Sequence, residues 1–368
     1  MVDLVSQTKK IYLEILTALE RVILQGDFIN GKEVRLFAEE LGQYMEGMHV
    51  VPCGNGTDAL QISLMALGLQ PSDEVVVPAF TYVASAEVIA LLGLHPVLVD
   101  VDESTFNIDP NQLEAAWSPR VKAVIPVHLY GRSADMHGVL QWAKQHDVKV
   151  VEDNAQSLGA SYEIGGNTVK VGTLGDVSCT SFFPTKNLGC FGDGGAMMTR
   201  DRDLADHLRM IANHGQREKY HHEIIGCNSR LDTLQAAILR IKLRHLDEYL
   251  QARITAAKYY TEHLSDLEEI ITPETRGCTF HQYTLRIRHG QRDALQAHLQ
   301  AQGIPSMIYY PLALCDQVAF CHTGRTVGAL AVSRRLANEV LSLPMHTELS
   351  LAQQDRVIET VRTFFQAR

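Results

Sequence analysis

Between about residues 50 and 200 the chain alternates short apolar runs with longer segments whose apolar positions recur at helical spacing. The short runs are rich in β-branched residues and uninterrupted by charge, as expected of strands that are buried on both faces. Such runs predict strands over Val75–Val77, Pro96–Val101, Val121–Val127, Val148–Val151 and Val177–Phe183. Helices are predicted between them over Asp58–Leu67, Ala84–Leu92, Pro110–Ala116 and Met136–His146. The alternation predicts an α/β fold with a mostly parallel, mixed sheet between helices.

The two ends of the chain have a different character. Residues 8–47 predict helices, because their leucines recur at helical spacing on either side of the break at Gly26–Gly31. A stretch from Arg230 to about His263 has neither proline nor glycine and predicts one long linking helix. After it, the predicted elements are two strands and three helices: Phe280–Arg288, Gln291–Gln302, Met307–Tyr310, Gly328–Val340 and Ala352–Phe365. We therefore predict a large domain over residues 1–245 and a smaller α+β domain over residues 246–368.

Charge and cysteine content exclude several classes of protein. The chain has 33 Lys and Arg against 43 Asp and Glu, a formal net charge of −10, and lacks a basic block, which argues against nucleic-acid and anionic-membrane partners. Its 7 cysteines are scattered without a CxxC pair, so neither a disulfide framework nor a zinc knuckle is expected. The first residues lack a signal-peptide layout, and no apolar window is long enough for a membrane span. These features predict a cytoplasmic protein.

The first candidate for chemistry is Lys186, which lies in the segment Ser181–Gly189 just after the predicted strand Val177–Phe183. Most lysines lie on solvated surfaces, but this one is surrounded by apolar residues and followed by the glycine-rich segment Gly192–Gly195. A partly desolvated lysine loses its proton more easily and forms an imine with an aldehyde. Ser181, five residues earlier, is placed to bind a phosphate.

The second candidate is the acidic pair Glu152 and Asp153 at the carboxyl end of a buried strand, where open α/β sheets bind ligands. An aspartate there can hold the proton of a pyridine nitrogen, which makes the ring an electron sink. Alternatively, either acid merely caps the segment that follows. Since consecutive residues point in different directions, only one of the two can face a site.

The third candidate is the start of the helix at Gly56 and Thr57, where free backbone N–H groups and the helix dipole suit an anion. It is neither a dinucleotide fingerprint nor a Walker loop, and an ordinary helix cap is the alternative. Tyr82, after a strand, is either a core aromatic or a ring that stacks on a flat ligand. Arg230 lies near a helix start, where a cation is unfavourable, which suggests a carboxylate or phosphate partner.

In this order, these segments resemble the DegT/DnrJ/EryC1/StrS sugar aminotransferases, pyridoxal-phosphate enzymes of the aspartate-aminotransferase fold type I. The matching motifs run from the start of the chain nearly to its end. They are Asp3-Leu4, Gly56–Leu60, Glu152–Gln156, Ser181–Lys186, Gly192–Ala196, His214–Gln216 and Asn228–Asp232.

The resemblance implies a role for each matching residue. Lys186 is the expected catalytic residue, which bonds to pyridoxal 5'-phosphate and moves the proton. Other expected cofactor ligands are Asp153 at the ring nitrogen, Gln156 at the ring hydroxyl, Tyr82 on the ring face, Gly56, Thr57 and Ser181 at the phosphate, and Asn228 at the phosphate of a neighbouring subunit. The expected assembly is therefore a homodimer with a shared active site. Some relatives carry histidine in place of the lysine and are dehydratases, which Lys186 argues against here.

The resemblance also implies a reaction. The expected amino donor is L-glutamate, and the acceptor is a nucleotide-linked 3-keto sugar. The segments His214–His222 and Ser342–His346 resemble the branch acting on UDP-2-acetamido-2-deoxy-3-oxo-glucuronate, in surface polysaccharide (O-antigen) synthesis. The expected substrate-binding residues are Arg230, His214, Tyr309 and Tyr310.

Some features leave alternatives open. Tyr309 stands where the uronate branch is expected to carry histidine. The alternatives are a dTDP-3-keto-6-deoxyhexose aminotransferase and a non-catalytic regulator on the same fold. An NAD-dependent sugar dehydrogenase is disfavoured, because the glycine fingerprint is missing. No metal site is expected, since His221 and His222 would point apart on a strand and no third ligand is suitably spaced.

Overall fold

A computed structural model describes residues 1–366. Within that range the α-helices are α1 Leu4–Lys10, α2 Tyr12–Gln25, α3 Lys32–Tyr44, α4 Gly56–Ala66, α5 Ala84–Leu91, α6 Leu113–Ala116, α7 Met136–His146, α8 Arg202–Ala212, α9 Thr233–Arg244, α10 Leu246–Leu264, α11 Arg292–Ala301, α12 Ala331–Glu339 and α13 Leu351–Gln366. The predicted helices of the sheet region are confirmed, except that Pro110–Gln112 form a 3-10 turn before α6.

Within residues 1–366, the strands form one large sheet and three small ones. They are β1 His49–Cys53, β2 Glu74–Pro78, β3 His95–Val99, β4 Val121–Val124, β5 Lys149–Asp153, β6 Ser161–Ile164, β7 Asn167–Lys170, β8 Val177–Ser181, β9 Gly195–Thr199, β10 Gln216–Glu218, β11 His221–His222, β12 Ile270–Ile271, β13 Tyr283–Ile287, β14 Arg325–Thr326 and β15 Val340–Leu343. The large sheet has the order β1-β9-β8-β5-β4-β2-β3-β14. This is the predicted α/β architecture, with helices covering a buried sheet.

The large sheet is parallel from β8 through β5, β4, β2 and β3 to β14. At the other end of the sheet, β9 pairs antiparallel with both β1 and β8. Parallel strands end at one edge of a sheet, so the segments after β2, β5 and β8 lie side by side. That edge carries the candidate chemistry.

The prediction of one long linking helix from Arg230 to about His263 is wrong. The segment is divided into α9 and α10 at His245, whose N–H donates to the Lys242 carbonyl at 3.1 Å, a tighter turn than an α-helix makes. The two halves pack in different cores. Leu239 of α9 lies in a cluster with Phe37 of α3, whereas Tyr260 of α10 packs with the small sheet.

The small sheet has the order β12-β13-β15, and α10, α11 and α13 contribute to its core. The strand predicted over Met307–Tyr310 is wrong. Met307 alone forms an isolated antiparallel bridge with Ser342, because the segment turns away from the sheet toward the end of β5. The proposed domain boundary after residue 245 stays a prediction. Among the helices of residues 1–366, none combines the length and apolarity needed to cross a bilayer.

Candidate active site

Lys186 lies on a tight turn after β8. Its backbone N–H donates to the Phe183 carbonyl at 2.8 Å, and Asn187 donates through Nδ2 to Thr279 Oγ1 at 3.1 Å. A side chain at Gly189 would collide with the Pro184 carbonyl, so only glycine allows the chain to fold back so closely there. The turn therefore holds Lys186 in one place at the carboxyl edge of the sheet.

The amine of Lys186 is desolvated. Burial lowers its pKa from 10.5 to about 8, and the negative charge of Asp153 opposes part of this shift. At pH 7, about one Lys186 side chain in ten is then neutral, compared with about one in several thousand for a solvated lysine. Within residues 1–366 its Nζ has no hydrogen-bond partner. A nucleophilic amine is thus available near neutral pH.

Asp153 ends β5 and is 6% exposed. One carboxylate oxygen accepts a hydrogen bond from Ser85 Oγ at 2.7 Å, and the other accepts from the Ala155 N–H at 3.1 Å. Ser85 lies in α5 and was not anticipated from the sequence, because a serine inside an apolar helix carries no local signal of a partner 68 residues away. Its hydroxyl fixes the orientation of the Asp153 carboxylate.

Glu152 faces the opposite way and is fully buried. Its carboxylate lies 2.9 Å from His128 Nε2 and accepts N–H groups from Gly172, Leu174 and Gly175 at 3.0, 2.8 and 2.6 Å. Because His128 Nδ1 accepts from the Ala134 N–H, Nε2 carries the hydrogen. Burial favours the neutral acid, but the hydrogen bond from His128 and the backbone N–H groups outweigh it and lower the pKa of Glu152. Of the two acids, Glu152 anchors a loop and Asp153 is on the side of Lys186.

The amino end of α4 lies against the carboxyl end of β8. A Cβ on Gly56 would come within 2.8 Å of Ser181 Cβ, so the contact requires glycine. Asn55 caps the helix by accepting the Asp58 N–H at 2.8 Å. In the described chain, the N–H groups of Gly56 and Thr57 donate no hydrogen bond, and they are directed away from the helix body as an anion site requires.

A cluster of tyrosines lies over the same edge. Tyr82 is 56% exposed, and its ring centroid is 6.0 Å from that of Tyr310. Gln156 donates through Nε2 to the Tyr310 hydroxyl at 3.2 Å and accepts the Tyr130 N–H at 2.7 Å. The Tyr130 hydroxyl in turn donates to the Tyr309 carbonyl. Tyr309 and Tyr310 are thereby brought to Gln156 and Tyr82, and Tyr130 is a further residue that the sequence did not reveal.

Three predicted residues are not joined to this group. His214 and Asn228 are exposed on the segment that follows α8, where Asn213 and Asn228 form a bridge. No hydrogen bond within residues 1–366 links either side chain to Lys186, Asp153 or Gln156. Arg230 lies closer, since its backbone carbonyl is 3.8 Å from a Cβ built on Gly54, beside the start of α4. The guanidinium of Arg230 has no ion-pair partner in the described chain.

The residues at this edge suit the chemical groups of pyridoxal phosphate. The aldehyde bonds to a neutral amine, the ring nitrogen pairs with a carboxylate, and the phosphate accepts hydrogen bonds from unpaired backbone N–H groups. Lys186, Asp153 and the amino end of α4 provide these three groups. The site thus fits the cofactor that the resemblance implies.

Comparison with known proteins identifies the same family as the sequence motifs do. The model of the DegT/DnrJ/EryC1/StrS aminotransferase family matches residues 9–362. The chain is 45% identical to the pleiotropic regulatory protein of Geobacillus stearothermophilus, over 99% of this chain and 98% of that one. It is also 45% identical to the UDP-2-acetamido-2-deoxy-3-oxo-D-glucuronate aminotransferase of Pseudomonas aeruginosa, over 95% and 96%. Among solved structures, S. venezuelae DesV in complex with ketimine intermediate superposes with a TM-score of 0.94 at 40% identity, over 99% and 97%.

Proposed function

The chain belongs to the DegT/DnrJ/EryC1/StrS aminotransferase family and is a pyridoxal-phosphate-dependent sugar aminotransferase, and on this premise we propose that it transfers an amino group from L-glutamate to a nucleotide-linked 3-keto sugar. One observation carries the proposal. The unpartnered, desolvated amine of Lys186 lies at the same sheet edge as the fixed carboxylate of Asp153 and the amino end of α4.

Each of these residues has a defined task in the proposed reaction. When bound, the cofactor supplies a pyridine ring that withdraws electrons from the carbon losing its proton. Lys186 Nζ would hold the cofactor through its aldehyde carbon and, when free, would carry a proton to and from the reacting carbon. Asp153 would hold the proton of the ring nitrogen, and Ser85 keeps the Asp153 carboxylate in place. Gly56, Thr57 and Ser181 would hold the phosphate, while Tyr82 and Gln156 would contact the ring.

We propose UDP-2-acetamido-2-deoxy-3-oxo-glucuronate as the preferred sugar. The aminotransferase of Pseudomonas aeruginosa named for this compound matches nearly the whole chain at 45% identity. Both this uronate and L-glutamate carry a carboxylate, and the unpaired guanidinium of Arg230 supports recognition of such a group. His214, Tyr309 and Tyr310 complete the proposed substrate site, and the amino sugar acid would enter a surface polysaccharide.

A dTDP-3-keto-6-deoxyhexose is the second candidate acceptor. It is favoured by Tyr309, which stands where the uronate branch is expected to have histidine. A tyrosine side chain carries no positive charge at any pH, so Tyr309 offers no cation for a sugar carboxylate. Burial raises the pKa of its phenol, which keeps the side chain neutral at physiological pH.

The name of the Geobacillus relative favours a third candidate, a regulator. Addition of L-glutamate to the protein loaded with pyridoxal phosphate distinguishes this role from an enzyme. An aminotransferase loses the visible absorbance of its cofactor in a single turnover, whereas a non-catalytic regulator retains it.

The remaining parts of the proposal concern assembly and place. We propose that two copies form a homodimer in which Asn228 of one copy reaches the phosphate of the other. Its exposed position leaves it available for such a contact. A cytoplasmic location stays a prediction.

A panel of acceptors tests the proposal. L-Glutamate converts the bound cofactor to its amine form, and excess L-glutamate is then removed. The protein is mixed with UDP-linked and dTDP-linked 3-keto sugars, each as a uronate and as a 6-deoxyhexose. The expected result is a rapid return of visible absorbance with the UDP-linked uronate. A clear preference for a 6-deoxy sugar would overturn the choice of sugar, and failure of all acceptors would overturn the transfer itself.

A further inference from the structure

A buried histidine not assigned any role above lies on the segment that packs against the Lys186 turn. The segment Thr279–His281 precedes β13. The Thr279 N–H donates to the Gly131 carbonyl at 2.8 Å, and its Oγ1 accepts from Asn187, the neighbour of Lys186, at 3.1 Å. Arg253 Nη1 donates to the His281 carbonyl at 3.3 Å. The backbone at His281 is thus held on a segment that packs against the Lys186 turn, and the charge of Lys186 acts on the His281 ring.

The ring of His281 is incompletely hydrogen-bonded. The residue is 7% exposed, and its Nδ1 has no hydrogen-bond partner within residues 1–366. Buried polar atoms are rarely left unpaired, because they lose their water without replacement. An orphan nitrogen at an active-site edge therefore indicates a partner that is present only in another state of the molecule.

The charge on the ring is also defined. Burial and the positive charges of Lys186 and Arg253 lower the pKa of His281 well below its ordinary value. These are the charged groups that act on the ring. The imidazole is consequently neutral at physiological pH, and a neutral ring has one nitrogen that accepts a hydrogen bond.

We propose that His281 is a positioning residue, whose Nδ1 accepts a hydrogen bond from the Lys186 amine when the cofactor occupies the site in its amine form and the Lys186 amine is free beside it. The inference rests on the proposed role of Lys186 and adds to it a partner for that state. No covalent step is involved. The hydrogen bond orients Nζ and stabilises its protonated form. Without this bond, burial destabilises the protonated amine, and the negative charge of Asp153 alone offsets part of that effect.

The test uses full-length protein loaded with pyridoxamine phosphate, which leaves the lysine amine free. Trace acetic anhydride labels neutral amines, and mass spectrometry of the Lys186 peptide gives the labelling rate at pH 6.5. In His281→Leu, loss of the acceptor makes the protonated amine less stable, so Lys186 labelling rises by about three- to tenfold. His281→Asn keeps an acceptor near the position of Nδ1 and is expected to label like the wild type.

His346→Leu is a matched control, because His346 is also buried with an orphan Nδ1, but the charge of Lys186 acts on the ring of His281 and not on that of His346. It is expected to leave Lys186 labelling unchanged. Unchanged labelling in His281→Leu would overturn the proposal. A fall would overturn it too, since a disorganised site admits water and raises the pKa of Lys186. Failure of the protein to bind pyridoxamine phosphate would instead count against the proposed function.

A reciprocal measurement does not depend on any His281 variant folding. Hydrogen–deuterium exchange at the imidazole Cε1 follows the protonation of individual histidines. In Lys186→Met the neighbouring cation is gone, so the pH at half-maximal exchange of His281 should rise while that of His346 stays constant. A His281 profile identical in both proteins would contradict the coupling.

Discussion

At the scale of single residues, two lysines with lowered pKa values show why desolvation alone does not create a reactive amine. Burial lowers the pKa of both Lys186 and Lys242 to about 8. Lys242 Nζ, however, donates to the Gly189 carbonyl at 2.7 Å and lies 5.0 Å from the centre of the Phe191 ring. The Lys242 amine thus stabilises the loop after the Lys186 turn, whereas the Lys186 amine has no hydrogen-bond acceptor in the described chain.

The lowered pKa of Lys186 predicts how capture of the cofactor depends on pH. Only the neutral amine attacks an aldehyde, and its fraction grows as the pH rises through about 8. Between pH 7 and 8 the rate constant for capture of added pyridoxal phosphate should rise about fivefold, and between pH 9 and 10 it should hardly change. Stopped-flow absorbance measures it.

Asp153→Asn is the matched variant for this profile. Because the Asp153 charge raises the pKa of Lys186, its removal should move the midpoint of the pH profile for capture to lower pH. The complex of this variant with pyridoxal phosphate should nevertheless be less stable than that of the wild type. A wild-type rate that still rises about sevenfold between pH 9 and pH 10 would show a solvated lysine and contradict this account.

At the scale of the elements, Glu152 connects β5 to the loop over residues 171–175. Glu152→Gln should lower the free energy of unfolding at pH 7 by about 2–3 kcal/mol, because an amide replaces an ionised acceptor of several hydrogen bonds. Since the folded pKa of Glu152 is lowered, the stabilisation is present above its unfolded value and is lost as the pH falls through the folded one. The difference between the two proteins should therefore shrink below about pH 4.

Urea unfolding at several pH values measures this difference. Glu163→Gln is the control, since Glu163 pairs with Arg276 at 2.9 Å on the surface. Its effect should stay within about 0.5 kcal/mol at every pH. Equal effects of the two substitutions would contradict an anchoring role for Glu152.

Elements with a strong local pattern could be predicted, and those that depend on distant partners could not. The β-branched strands β2 to β5 and β8 follow from sequence alone. In contrast, β9 contains two methionines and two small residues, and it is a strand because it pairs with both β1 and β8. The division at His245 likewise has no glycine or proline to mark it.

The same distinction holds within the site. Lys186, Asp153 and Gly56 follow strands or open a helix, so their position could be inferred from the order of elements. Ser85 and Tyr130 reach the site through contacts with residues far away in the sequence, and His281 lies on the segment whose Thr279 contacts Asn187. They have no distinctive local motif, and only the folded structure reveals them.

At the scale of the whole molecule, the exposed positions of Asn228 and His214 bear on the proposal that two copies of the chain share their active sites. If Asn228 serves the site of a second copy, Lys186→Ala and Asn228→Ala disable different halves of each shared site. A mixture of the two variants, unfolded and refolded together, should regain up to about 25% of wild-type transfer at limiting cofactor, because half the dimers are mixed and each has one intact site. Mixed activity equal to the mean of the separate variants would contradict a shared site.

The central claim is that Lys186, and no other lysine, bonds to the cofactor. Full-length protein is mixed with pyridoxal phosphate, reduced with borohydride and digested, and the peptides are weighed by mass spectrometry. The account predicts one phosphopyridoxyl group, on the Lys186 peptide, and none in Lys186→Ala. A label on the Lys242 peptide, or a Lys186→Ala protein that is labelled as fully as the wild type, would contradict it.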